Sequence, residues 1–159
     1  MNLQIDIQSE SAEPVPDEDD IRRWIAAALD GQRTEDTEIS LRLVDEDEMA
    51  SLNHTWRARS GSTNVLSFPS DLPEDLQLPL LGDIVVCVPV VQREAQEQSK
   101  TLEAHWAHML VHGTLHLLGY DHIVDADAEA MEALESRILT SLNYPCPYRG
   151  DLAQEQASA

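Results

Sequence analysis

From Leu102 to Leu118 the chain reads as a helix, and Gly119 is a natural stop for it. That helix carries His112 and His116, four residues apart, so both imidazoles share one face and come within reach of a single ion. Gly119 lets the chain turn sharply, and the turn can bring His122 back as a third nitrogen ligand. A lone histidine is usually an ordinary structural residue. Three at spacings of four and six around a helix-stopping glycine point to a metal centre. Zinc held by three protein ligands keeps a fourth position open to water, which is the arrangement of a catalytic site rather than a structural one. The ion lowers the pKa of that water to about 7. The expectation is one zinc ion per chain, on His112, His116 and His122.

His108 stands four residues before His112 and offers a competing pair. The turn at Gly119 favours the later pair, because only that pair lies near His122. His105 and His108 are then expected on the helix surface or behind the ligands. The spacing also resembles the HExxHxxGxxH signature of metzincin proteases, glycine included. That signature needs Glu at its second position as general base, and Gly113 stands there. A glycine takes no proton from water, so the metzincin route to peptide hydrolysis is not supported.

The surrounding patterns place this helix in a small mixed fold. Leu3, Ile5 and Ile7 alternate with polar residues, as do Ile39, Leu41 and Leu43, and both stretches read as strands. Between them Asp17 to Asp20 open a helix with Ile21, Trp24, Ile25 and Ala28 on its buried stripe, and Gly31 ends it. Asp45 is a candidate cap for a helix running to about Trp56, with Met49 and Leu52 inward, and residues 57–62 read as a loop. Val65, Leu66 and Phe68 form a short strand, Ser70 to Pro79 a loop, and GDIVVCV a central strand. Pro89 opens a helix to about Lys100. Asp125 is a candidate cap for a last helix, with Met131, Leu134, Ile138 and Leu142 buried. The expected fold is α+β: one compact domain over residues 1–150, a mixed four-stranded sheet packed with four to five helices, and the metal site at the end of a central helix. Residues 151–159 are expected to be a flexible tail.

The chain has 159 residues, the usual size of one domain, and a hydrophobic fraction of 42% suffices for a core of Leu, Ile, Val and Ala. Thirty acids against ten bases give a formal charge of −20, which favours solubility and opposes binding to nucleic acid or anionic membrane. An RNA substrate therefore requires the arginines to be gathered on one face. Arg22, Arg23, Arg33, Arg42, Arg57 and Arg59 all fall in the first sixty residues, which hints at such a face. No signal segment and no bilayer-spanning run is apparent, and Cys87 and Cys146 read as free thiols, so a cytoplasmic location is expected.

Three segments, LNHTWRARSGSTNVLSFP, LLGDIVVC and EAHWAHMLVHGTLHLLGYDH, together resemble the YbeY family of bacterial rRNA maturation factors, single-strand-specific metallo-endoribonucleases. The resemblance runs from about Ile39 to Tyr148. Many members have Asp where Asn64 stands and Tyr where Trp56 stands. By matching position, the resemblance implies zinc on His112, His116 and His122 and a functionally important arginine at Arg57. It also implies a mixed sheet with a helix bearing the metal, 3′-end maturation of 16S rRNA, and ribosome quality control. The implied partners are single-stranded RNA and the small ribosomal subunit with its assembly proteins, with no membrane and no DNA.

Phosphodiester cleavage suits these residues. Zinc can polarise one phosphate oxygen, and an arginine fork such as Arg57 can bind two others, with Arg59 as a possible helper. Asp83 and Asp121 are candidate acceptors that would orient a ligand imidazole, although Asp83 serves equally well as a turn residue after Gly82. Two alternatives stand beside the nuclease: a ribosome-assembly factor with a mainly structural zinc, and a metal-dependent hydrolase of another bond.

Overall fold

The computed structural model describes residues 2–57, 63–70, 79–120 and 125–145, without the side chains of residues 56, 57 and 125–127. The alternating apolar stretches become strands β1 (Leu3–Ser9) and β2 (Thr37–Val44), which pair in parallel. A parallel pair needs a crossover, and α1 (Glu18–Leu29) supplies it. Glu18, Asp19 and Asp20 lie in its first turn, where negative charge complements the helix dipole. Ile21, Trp24, Ile25, Ala28 and Leu29 are buried on its inner face.

Helix α2 (Glu46–Arg57) follows β2, and its Met49 is fully buried. The Asp45 carboxylate before it accepts from Ser11 Oγ and the Ala12 N–H, which ties the chain after β1 to this helix start. Strand β3 (Val65–Pro69) pairs antiparallel with β4 (Leu80–Cys87), and β4 pairs in parallel with β2. The order β1-β2-β4-β3 makes the expected mixed four-stranded sheet, and five helices pack with it.

The continuous apolar run in β4 has a direct physical reason. Ile84 and Val86 belong to one core cluster with α1, α4 (Leu102–Leu117) and α5 (Asp125–Ser141). Val85 and Cys87 face a second cluster with Met49 of α2, Leu66 of β3 and Val90 of α3 (Val88–Glu97). A strand covered on both faces loses its polar alternation. Cys87 is a buried free thiol within that second cluster. Cys146 and the tail 151–159 lie outside the described residues.

Helix α3 begins one residue before Pro89 and stops at Glu97, short of Lys100. Ser99 takes a left-handed φ of 54°, and the Lys100 N–H reaches back to the Ala95 carbonyl at 2.9 Å, which closes the helix early. Thr101 then caps α4 by accepting from the Ala104 N–H at 3.1 Å. Helix α4 touches α1, α3, α5, β3 and β4, and so forms the spine of the molecule. Among the described residues no helix is long and apolar enough to cross a membrane.

Candidate metal centre

Helix α4 stops as its sequence predicts. Gly119 has φ 105°, its N–H bonds the His116 carbonyl at 3.0 Å, and the Tyr120 N–H bonds the Leu115 carbonyl at 3.1 Å. That pair of bonds is the Schellman closure, and it turns the chain at Gly119, three residues after His116. Asp121 and His122, which follow the turn in sequence, lie outside the described residues.

His105, His108, His112 and His116 rise along α4 at helical spacing. The Nε2 atoms of His112 and His116 stand 3.1 Å apart, with ring centroids at 4.6 Å. Two nitrogens bound tetrahedrally to one zinc at its usual bond length stand about 3.3 Å apart. The pair therefore fits a shared cation with almost no rearrangement. The opposite edge of His112 meets α5, where its Nδ1 lies 3.1 Å from Glu135 Oε1. The other carboxylate oxygen of Glu135 lies 2.6 Å from His108 Nε2. His108, His112 and Glu135 thus form a cluster that could hold a metal ion in its own right.

Glu135 is fully buried. Burial pushes its carboxyl pKa up, but hydrogen bonding and electrostatic attraction from His108 and His112 outweigh that and hold it down at about 2. Its position in sequence carried a signal. It falls between Leu134 and Ile138 on the buried stripe of α5, and a carboxylate there needs a partner.

One turn earlier, His105 is 2% exposed and its Nε2 lies 3.0 Å from Glu94 Oε1. Burial lowers its pKa, and the bond to Glu94 only partly opposes that shift. The Asn64 amide also donates to Glu94, at 3.2 and 3.3 Å. An ionised Asp at position 64 would meet that carboxylate with like charge, so the amide suits this neighbourhood.

Gly113 is buried against the sheet. A Cβ there would lie 3.2 Å from Ile84 Cγ2, 3.3 Å from Ser67 Oγ and 3.4 Å from Val65 Cγ2. Position 113 therefore points at packed side chains of β3 and β4, where a Glu side chain has no room. Ser67 donates from its hydroxyl to the Gly113 carbonyl at 3.0 Å.

Arg57 is the last residue of α2 rather than part of a loop, and its side chain is outside what is described. Arg59 also lies outside the described residues. Asp83 is exposed on β4, in register with Ser40 and Phe68, whereas the acceptor at His112 is Glu135. Arg22 donates to the Leu3 carbonyl, Arg23 to Tyr144, Arg33 to Thr37, and Arg42 to Glu10 and Glu48. These four guanidinium groups are each engaged within the fold.

Comparison with known proteins agrees with this architecture. The profile of the family described as "Endoribonuclease YbeY" matches residues 4–143. A protein of that name from Pseudomonas syringae pv. tomato is 58% identical over 150 residues, covering 94% of this chain and 90% of the relative. One from Cellvibrio japonicus is 56% identical over 146 residues, covering 91% and 82%. The solution structure of TM1509 from Thermotoga maritima superposes with a TM-score of 0.57 at 28% identity, covering 86% of this chain and 87% of that one.

Proposed function

The chain belongs to the endoribonuclease YbeY family, and from that premise we propose that it is a zinc-dependent, single-strand-specific endoribonuclease. Its task is 3′-end maturation of 16S rRNA and ribosome quality control, in the cytoplasm, on the small subunit and among its assembly proteins. The working unit is the domain over residues 1–150, with residues 151–159 as a tail. The observation that carries this reading is the convergence of His112 Nε2 and His116 Nε2 at 3.1 Å, one turn before the Gly119 closure that leads to His122.

The proposed ligands are His112, His116 and His122. The cluster of His108, His112 and Glu135 competes for the ion, and the two arrangements use opposite nitrogens of His112. The convergence of the two Nε2 atoms favours the first. So does Glu135, whose Oε1 already lies within hydrogen-bond distance of His112 Nδ1. Zinc, when bound, supplies Lewis-acid polarisation of a phosphate oxygen and makes a nucleophile available at neutral pH. Arg57 is the phosphate clamp: its planar fork binds two non-bridging oxygens and matches the charge that grows on them during cleavage. Position 113 offers no base, so the attacking oxygen is activated without a side-chain base there.

The test is a cleavage assay on pre-rRNA with wild type, His116→Ala and Arg57→Ala at equal purity. His116→Ala is expected to lose both zinc and cleavage. Arg57→Ala is expected to keep zinc and lose cleavage by about 100- to 1,000-fold, the usual cost of one preorganised donor. Persistent cleavage by His116→Ala would contradict the reading. The engaged arginines and the charge of −20 favour a second reading, an assembly factor with structural zinc. In that case Arg57→Ala still supports maturation, and chelation unfolds the domain.

A further inference from the structure

We propose that Glu135, backed by His108, is a positioning residue for the metal centre, setting the tautomer and ring orientation of His112 before any ion arrives. The inference rests on the three-histidine reading above and extends it to α5, an element that supplies no ligand there.

An imidazole can present either nitrogen to a cation, and the choice follows from where its single ring proton sits. Glu135 is fully buried, each of its two oxygens faces an imidazole nitrogen, and a carboxylate so placed accepts from both rings. Its Oε1 lies 3.1 Å from His112 Nδ1, so the proton belongs on Nδ1 and the lone pair of Nε2 is left facing His116. A carboxylate free to rotate would hold that ring poorly. Here the second oxygen is fixed by His108 Nε2 at 2.6 Å, and α5 is anchored through Met131, Leu134 and Ile138 on either side. The result is a chain of contacts, His108 to Glu135 to His112, that ends on the ligand nitrogen. It also brings one negative charge next to a ligand set of neutral imidazoles, which raises the basicity of His112 toward a cation.

The experiment measures Zn2+ affinity by competition with a chromophoric chelator for wild type, Glu135→Gln, His108→Gln and His116→Ala. Imidazole 15N shifts of the metal-free wild type are recorded alongside. Glu135→Gln keeps the shape of the side chain and loses its charge, so affinity should fall about 10- to 100-fold, the usual effect of losing such an outer partner. His108→Gln should fall less than Glu135→Gln, and His116→Ala should lose measurable binding. The metal-free wild type should show His112 protonated at Nδ1, a signature that mere support of the fold does not require and that needs no variant to fold. Wild-type affinity in Glu135→Gln, or a His112 ring protonated at Nε2, overturns the positioning role while the loss in His116→Ala keeps the three-histidine reading. Retained binding in His116→Ala with none in Glu135→Gln and His108→Gln overturns both, because Glu135 and His108 are then ligands themselves.

Discussion

Gly113 is the position where geometry speaks most directly against a protease-like base, and two substitutions test it. A Cβ at 113 meets Ile84 Cγ2 at 3.2 Å and Ser67 Oγ at 3.3 Å, both tighter than ordinary van der Waals contact, and Val65 Cγ2 at 3.4 Å. Ser67 cannot simply swing away without giving up its bond to the Gly113 carbonyl. For Gly113→Ala the helix gains about 1 kcal/mol from the better helix former, against about 1–3 kcal/mol for overpacking. The net loss is then about 0–2 kcal/mol. Gly113→Glu adds a polar group buried against β3 and β4, a further cost of about 1–3 kcal/mol, for a net loss of about 1–5 kcal/mol. At about 2–4 °C per kcal/mol for a chain of this size, Gly113→Glu should melt at least about 2 °C lower than wild type. Thermal denaturation of the metal-free proteins followed by circular dichroism reads both values. A Gly113→Glu protein that melts at or above the wild-type temperature would refute the packing account. Position 113 would then have room for a side chain, and the case against a base there would fall with it.

Tyr144→Phe removes the hydroxyl that accepts from the fully buried Trp24 indole at 3.0 Å and from Arg23 at 3.1 Å. Leaving that N–H unpaired should cost about 1–3 kcal/mol in urea unfolding; an unchanged midpoint would mean that the indole has found another acceptor. His105 gives a pH prediction. Its folded-state pKa is lowered, chiefly by burial, so the unfolded chain binds the proton more readily. The stability tied to its neutral form is full above its unfolded pKa of about 6.5 and is lost as pH falls below it. His105→Gln should flatten the fall in stability between about pH 6.5 and 5 by up to about 1.4 kcal/mol per pH unit. Parallel curves for the two proteins would count against that assignment.

Most elements were legible because each is governed by a local pattern. The alternation at Leu3, Ile5 and Ile7, the stripe of Ile21, Trp24 and Ile25, and the stop at Gly119 all depend on near neighbours in sequence. Sheet order was not legible, since pairing β4 between β2 and β3 depends on which faces the helices cover. The end of α3 was misjudged by three residues because Ser99 adopts a left-handed conformation that its side chain does not advertise. At the site, the spacing of His112 and His116 was enough to foresee their convergence. The acceptor at His112 was not foreseen, because Glu135 lies twenty-three residues along the chain on another helix. Asp121 drew attention by standing next to His122, and Asp83 by opening the GDIVVCV strand. Asp83 is exposed on β4. Gly113 was first legible as a missing base, and the sheet packed beneath it supplies the reason.

The central claim, a cation held by the two imidazoles of α4 and the histidine beyond its Gly119 turn, is tested most directly by X-ray absorption on the zinc-loaded chain. The account predicts one zinc per chain with three imidazole ligands, and a loss of one imidazole, with weakened binding, in His122→Ala. A spectrum with two imidazoles and a protein carboxylate, unchanged by His122→Ala, would contradict it and assign the ion to His108, His112 and Glu135.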